Sequence, residues 1–179
     1  GELVLTASLA SGVLNLGVLD TQGRIGGAVV NQGLLADSGD IGGALDSSGI
    51  VTGQGRVGGD LQASAGGIAP DGQGFTVGGD YLQSAGVTLR VQPLAGQPAA
   101  AAGVTAAGSA ILTKGAILAA SASAPGRFYQ AGARYTVLSA ARGLQGQYTL
   151  AGTGAVSAVL GVATAYDAGH VYLDVVQQR

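Results

Sequence analysis

The side chains able to do chemistry are few and scattered. The single histidine, His170, follows Asp167 in "YDAGHVYL", and Ser157 is the nearest serine. Serine, histidine and carboxylate are the parts of a nucleophilic triad, which also needs a buried, oriented base, a sharp nucleophile turn and an oxyanion donor. "DAG" reads instead as a short hairpin connection, so His170 reads as an exposed structural residue. Asp60 and Asp80 each follow a Gly-Gly pair, one repeat apart. Like charges stacked at that distance repel unless a cation or proton intervenes. They read first as two solvated aspartates and second as a weak cation site. Asp71, in "APDGQG" (69–74), would serve a polysaccharide-cleaving cleft only with a further carboxylate at a set separation. No catalytic, metal or cofactor site is assigned, and the chain reads as non-enzymatic.

The elements that carry these residues are thin. The 179 residues include 34 glycines, no tryptophan and two phenylalanines, and only 10% are charged. A helix-and-sheet core needs more bulk, whereas a disordered chain has fewer aliphatics and more charge. A net charge of −2 spread over both signs argues against a nucleic-acid surface. No polybasic stretch or long apolar run predicts insertion into or attachment to a membrane. The absence of cysteine excludes disulfides and thiolate chemistry, and suits a chain that crosses an oxidising compartment unfolded. The absence of methionine reads as a processed form or a fragment.

A repeat organises the first half. "GVLDTQGRIGGAVVNQ" (17–32), "GLLADSGDIGGALDSS" (33–48) and "GIVTGQGRVGGDLQAS" (49–64) align directly, and "AGGIAPDGQGFTVGGDYLQS" (65–84) carries four extra residues. Alternation, not a 3.6-residue period, sets Ile25, Gly27 and Val29 on one face, then Ile41, Gly43 and Leu45, then Val57, Gly59 and Leu61, then Val77, Gly79 and Tyr81. Short strands broken by Gly-containing turns, once per sixteen residues, predict the coils of an all-β, parallel β-helix. Ile25, Ile41, Val57 and Val77 then stack inside, and Arg24, Asp40 and Arg56 alternate in sign outside. The Gly pairs read as structural: either no side chain fits where the coil bends, or a positive φ is required. One coil buries too little to offset the entropy of ordering it, so each coil needs a formed neighbour, and the open ends need covers.

Residues 85–179 read as the cover, after a loose Ala/Gly/Pro connection at about 93–108. Strands are expected in 86–92, 109–121 (bent at Gly115), 129–140, 146–152, 155–166 and 170–176. This half holds Tyr129, Tyr135, Tyr148, Tyr166 and Tyr172 and predicts the denser core.

"FTVGGDYLQSAGVTLRV", "AGSAILTKGAILAAS", "YQAGARYTVLSAARGLQGQY" and "YDAGHVYLDV", in that order across residues 75–176, resemble the C-terminal end of autotransporter passengers of Gram-negative bacteria. Those are the pertactin-like, right-handed β-helical proteins of type V secretion. The resemblance implies that this segment is the autochaperone, or junction, region, which folds first outside the cell and templates the coils upstream. Tyr129, Gly132, Tyr135, Thr136 and Leu138 match its strand motif, and Tyr166, Tyr172 and Leu173 its terminal hairpin; their implied role is folding. Lys114-Gly115 departs from the family's Gly-Gly. The implied partners are upstream coils, a downstream membrane β-barrel and host surface molecules, and the implied location is the bacterial surface or beyond it. The alternatives are an adhesin module of a filamentous haemagglutinin-like exoprotein and a β-helix carbohydrate-active enzyme.

Overall fold

The computed structural model describes residues 1–71, 74–92, 103–121, 130–151 and 159–178. Among them there is no helix, and the strands form three sheets of eight, nine and seven members. Successive strands visit the first, second and third sheet in turn, so each sheet is one face of a parallel β-helix. The first sheet runs from Glu2–Leu5 to Thr149–Leu150, the second begins at Ser8–Leu9, and the third runs from Val13–Asn15 to Leu144–Gln145.

The core is made of vertical columns. Ile25, Ile41, Val57 and Val77 lie in register in the second sheet, each with no exposed surface. Leu19, Leu35, Val51, Ile68 and Leu89 lie in register and buried in the first sheet, as do Val29, Leu45, Leu61 and Tyr81 in the third. Outside the second sheet, Asp40 lies 3.5 Å from both Arg24 Nε and Arg56 Nη1. These pairs are open to solvent, so they set register more than they add stability.

The Gly-Gly pairs are corners. Arg24–Ile25 belongs to the second sheet and Val29–Asn31 to the third, so Ile25, Gly27 and Val29 do not share one strand face; the chain turns at Gly26-Gly27. None of Gly27, Gly43, Gly59 and Gly79 has a positive φ, which disposes of that explanation. Close stacking is the cause. A Cβ on Gly43 would lie 2.7 Å from the Ala28 nitrogen, and one on Gly79 would collide with Asp60 Oδ1. Backbone cannot yield but a carboxylate can. Gly43→Ala should therefore cost about 2 kcal/mol, as overpacking does. Gly79→Ala meets mainly that carboxylate, so it should cost less in an Asp60→Ala background than in the wild type, with thermal melts of each single variant and of the double as the check.

The stack does not stop at Ser84. Thr88–Val91, Ile117–Ala120 and Thr149–Leu150 extend the first sheet, and Ala110–Leu112 and Leu144–Gln145 extend the third, all parallel. Val104–Ala106 continues the second sheet, so 103–108 is coil rather than loose connection; 93–102 lies outside the described residues. The expected strand 109–121 is two strands in two sheets, divided by a turn at Gly115, whose φ is +98°.

The order changes only at the last strands of the second sheet. Arg134–Ala140 pairs parallel with Val104–Ala106 on one edge and antiparallel with His170–Gln177 on the other. His170–Gln177 then pairs antiparallel with Leu160–Tyr166. Parallel stacking needs a full coil between neighbours, whereas an antiparallel hairpin needs only "DAG". The hairpin thus ends the second sheet without a further coil.

Candidate functional site

The chemistry-bearing residues of the hairpin turn form a clamp. Asp167 Oδ1 accepts from the Gly169 amide at 2.9 Å and lies 2.8 Å from His170 Nδ1, and Oδ2 accepts from the Tyr172 hydroxyl at 2.6 Å. Donation from Tyr172, then from Gly169 and His170, holds the Asp167 carboxyl well below the usual carboxylate range. The ring of Tyr172 stacks on His170, and the Arg134 guanidinium lies 4.9 Å from the centroid of that Tyr172 ring while gripping Asp174 with two bonds. Every member faces outward and fixes the turn. Ser139 stands opposite His170 across the strands, with no hydrogen bond between them among the described residues. Ser157 lies outside those residues.

Asp60 and Asp80 are joined to the backbone. Asp60 Oδ1 accepts from the Asp80 amide at 2.8 Å, and Asp80 Oδ1 accepts from the Ser109 amide at 2.7 Å. Each carboxylate caps the corner of the next coil, which is also why Gly79 and Gly108 lack side chains. Among the described residues no three metal-ligating side chains converge. Asp71 is exposed, its amide bonded to the Gly53 carbonyl at 2.6 Å.

The most constrained polar group is Gln83, which has no exposed surface. Its Oε1 accepts from both Tyr81 and Tyr148 hydroxyls at 2.8 Å, and its Nε2 donates to the Val87 carbonyl at 2.7 Å and the Ile117 carbonyl at 3.1 Å. Burial raises the pKa of both phenols, which keeps them protonated as donors. The Tyr148 amide donates to the Tyr166 hydroxyl at 3.0 Å, linking the hairpin to this knot. A buried amide with all four bonds made fixes one arrangement of its neighbours. It ties the fourth repeat to segments 34 and 65 residues further along the chain.

The residues matched to the folding motif divide. Tyr135, Leu138 and Leu173 are buried, and Tyr135 sits opposite Leu173. A bulge between Thr136 and Leu138 lets Val137 and Leu138 both point inward. Thr136 and Tyr172 pair on the outer face, Gly132 makes a turn with φ +83°, and Tyr166 is half-buried. Tyr129 lies outside the described residues.

Two internal polar columns were not read from the sequence. Asn15 Nδ2 donates to Asn31 Oδ1 at 2.8 Å, and Asn31 Nδ2 donates to Ser47 Oγ at 3.0 Å. Asp37, above Thr21 and below Gly53, is wholly buried; Oδ1 accepts from the Gly39 amide, and Oδ2 has no hydrogen-bond partner among the described residues. Both columns carry a readable signal: a polar residue at one fixed place in successive sixteen-residue lines.

At the C-terminal end the hairpin buries Tyr135, Val171, Leu173 and Val175 of the second sheet, whereas Leu144 and Leu150, in the last strands of the third and first sheets, are half-buried. In the first coil, Leu3 occupies the column of Leu19 yet is 54% exposed, and Leu9 and Val13 are only half-buried. Comparison with protein families finds none that matches the chain, and comparison with curated proteins finds no similar one.

Proposed function

We propose that the chain is the C-terminal stem and intramolecular chaperone of a surface-displayed β-helix, a passenger of the autotransporter type, and that its work is mechanical rather than catalytic. The C-terminal hairpin and the polar knot support this reading best. The antiparallel hairpin closes the second sheet over buried Tyr135, Val171, Leu173 and Val175, and the satisfied Gln83 knot ties the fourth repeat to that end. A formed coil lowers the cost of the next by supplying backbone partners and half its core. Folding that starts at that end propagates toward the first coil, and coils added outside the membrane cannot slip back. The partners are preceding coils on the first coil and a membrane β-barrel beyond the hairpin.

The order of events is testable by refolding kinetics. Tyr135→Ala and Leu173→Ala should slow refolding at least about tenfold, with φ above about 0.5, whereas Ile25→Ala should mainly speed unfolding. Equal φ at all three positions would contradict a C-terminal start.

A further inference from the structure

The three outer faces are unlike one another. The second sheet displays Arg24, Asp40 and Arg56, and the third displays one column of Leu14, Val30, Asp46, Gln62, Leu82 and Ile111. The first sheet displays two nearly uncharged columns. One runs Val18, Leu34, Ile50, Gly67 and Thr88, and the other Asp20, Ala36, Thr52 and Ala69, with Arg90 two residues past Thr88 in the next strand. Ile50 is 50% exposed and Leu34 36%. Over Gly66-Gly67, where the first column loses its side chain, lies a notch of about 230 Å³ between Ile50, Thr88 and Arg90. Asp20 and Arg90 make no ion pair among the described residues.

These features are self-complementary. We propose that the first sheet's outer face docks a second copy of this chain, the two solenoid axes antiparallel about a two-fold axis along the strand Ile50–Gly53. That operation keeps each column opposite itself and reverses the order of coils. Ile50 then meets Ile50 of the second copy, and Leu34 enters the notch over its Gly67. Asp20 faces its Arg90, the two strands lying four strand spacings, or about 19 Å, apart within one copy. An isologous contact makes each of these twice. The face covers roughly 400 Å² per copy at the sheet spacings, below the standard interface. The dimer is therefore weak and reversible, with Kd in the tens of micromolar as an order of magnitude.

Sedimentation equilibrium on the full chain, from about 1 μM to 1 mM, spans that range. The wild type should dimerise. Asp20→Arg and Arg90→Asp should each raise Kd about tenfold by setting like charges opposite, and the double variant should recover the wild-type value. Ile50→Asp, at an exposed position, should leave the circular dichroism unchanged and the protein monomeric. A chain monomeric throughout would overturn the proposal. So would a dimer indifferent to all these changes but lost in Leu3→Asp, which would mark joining through the open first coil.

Discussion

Gln83→Leu removes about 4 kcal/mol of stability, the largest loss expected from a single polar replacement among the described residues. The substitution keeps the volume and deletes four hydrogen bonds at once. The Tyr81 and Tyr148 hydroxyls and the Ile117 carbonyl lose that partner in a dry site, while the Val87 carbonyl keeps the Ile117 amide at 2.9 Å. Each stranded buried group costs roughly 1–3 kcal/mol, and partial rearrangement lowers the sum. Removing one donor is milder. Tyr81→Phe or Tyr148→Phe should cost about 1 kcal/mol each, because Gln83 Oε1 keeps its other phenol. A urea series measures all three. The loss in Gln83→Leu should appear with an unchanged m-value if the native stack is kept and only its clasp is weakened. A loss below about 1 kcal/mol would show that the knot is not what binds the cap to the coils.

Asp37→Asn has the opposite sign. Burial, opposed by the Gly39 amide and reinforced by the nearby charge of Asp40, pushes the Asp37 carboxyl from 3.8 up to about 6. A folded-state pKa above the unfolded one means that the native chain holds the proton more tightly between those values. Stability is then greatest below about pH 4, falls as pH rises through about 6, and is flat above, other groups being equal. The difference of about two units corresponds to up to about 3 kcal/mol lost by neutral pH. Asn keeps the oxygen that accepts from Gly39 and carries no charge. Asp37→Asn should therefore raise stability at pH 7 by about 1–3 kcal/mol and remove the fall between pH 4 and 6, read as melting temperature against pH. A destabilised variant at pH 7 would mean that the ionised carboxylate is held by a favourable partner.

The coils were legible because their physics is local. A sixteen-residue period with aliphatics at fixed places means stacking, and Ile25, Ile41, Val57 and Val77 stand in one column. The end of the coils was misread at Ser84 because the Gly-Gly corner is absent from the later lines as they were aligned. The inward positions persist without it: Leu89 pairs with Leu118, and Tyr81 with Ala110. A corner is made by whatever fits against the coil beneath, so losing one corner motif does not end a stack. The polar columns hid for another reason. Asn15, Asn31 and Ser47 stand two residues before Gly17, Gly33 and Gly49 and look like turn residues, yet they point inward because the next coil supplies their partners. The Gln83 knot had no sequence signal. Its partners are brought together by the hairpin and by the third and first sheets, and nothing in "YLQS" encodes a tyrosine 65 residues away.

The central claim is that the closed C-terminal end is the most stable part of the stack, onto which the coils add. Native-state hydrogen exchange tests it amide by amide. Amides of Tyr135–Ala140, Val171–Val175 and the Gln83 knot should open only at the free energy of global unfolding. Protection should then decline coil by coil toward the open end, with Glu2–Leu5 opening first. If the repeats at 17–64 are the last to open and the hairpin exchanges ahead of them, the cap is a tether and the template reading fails.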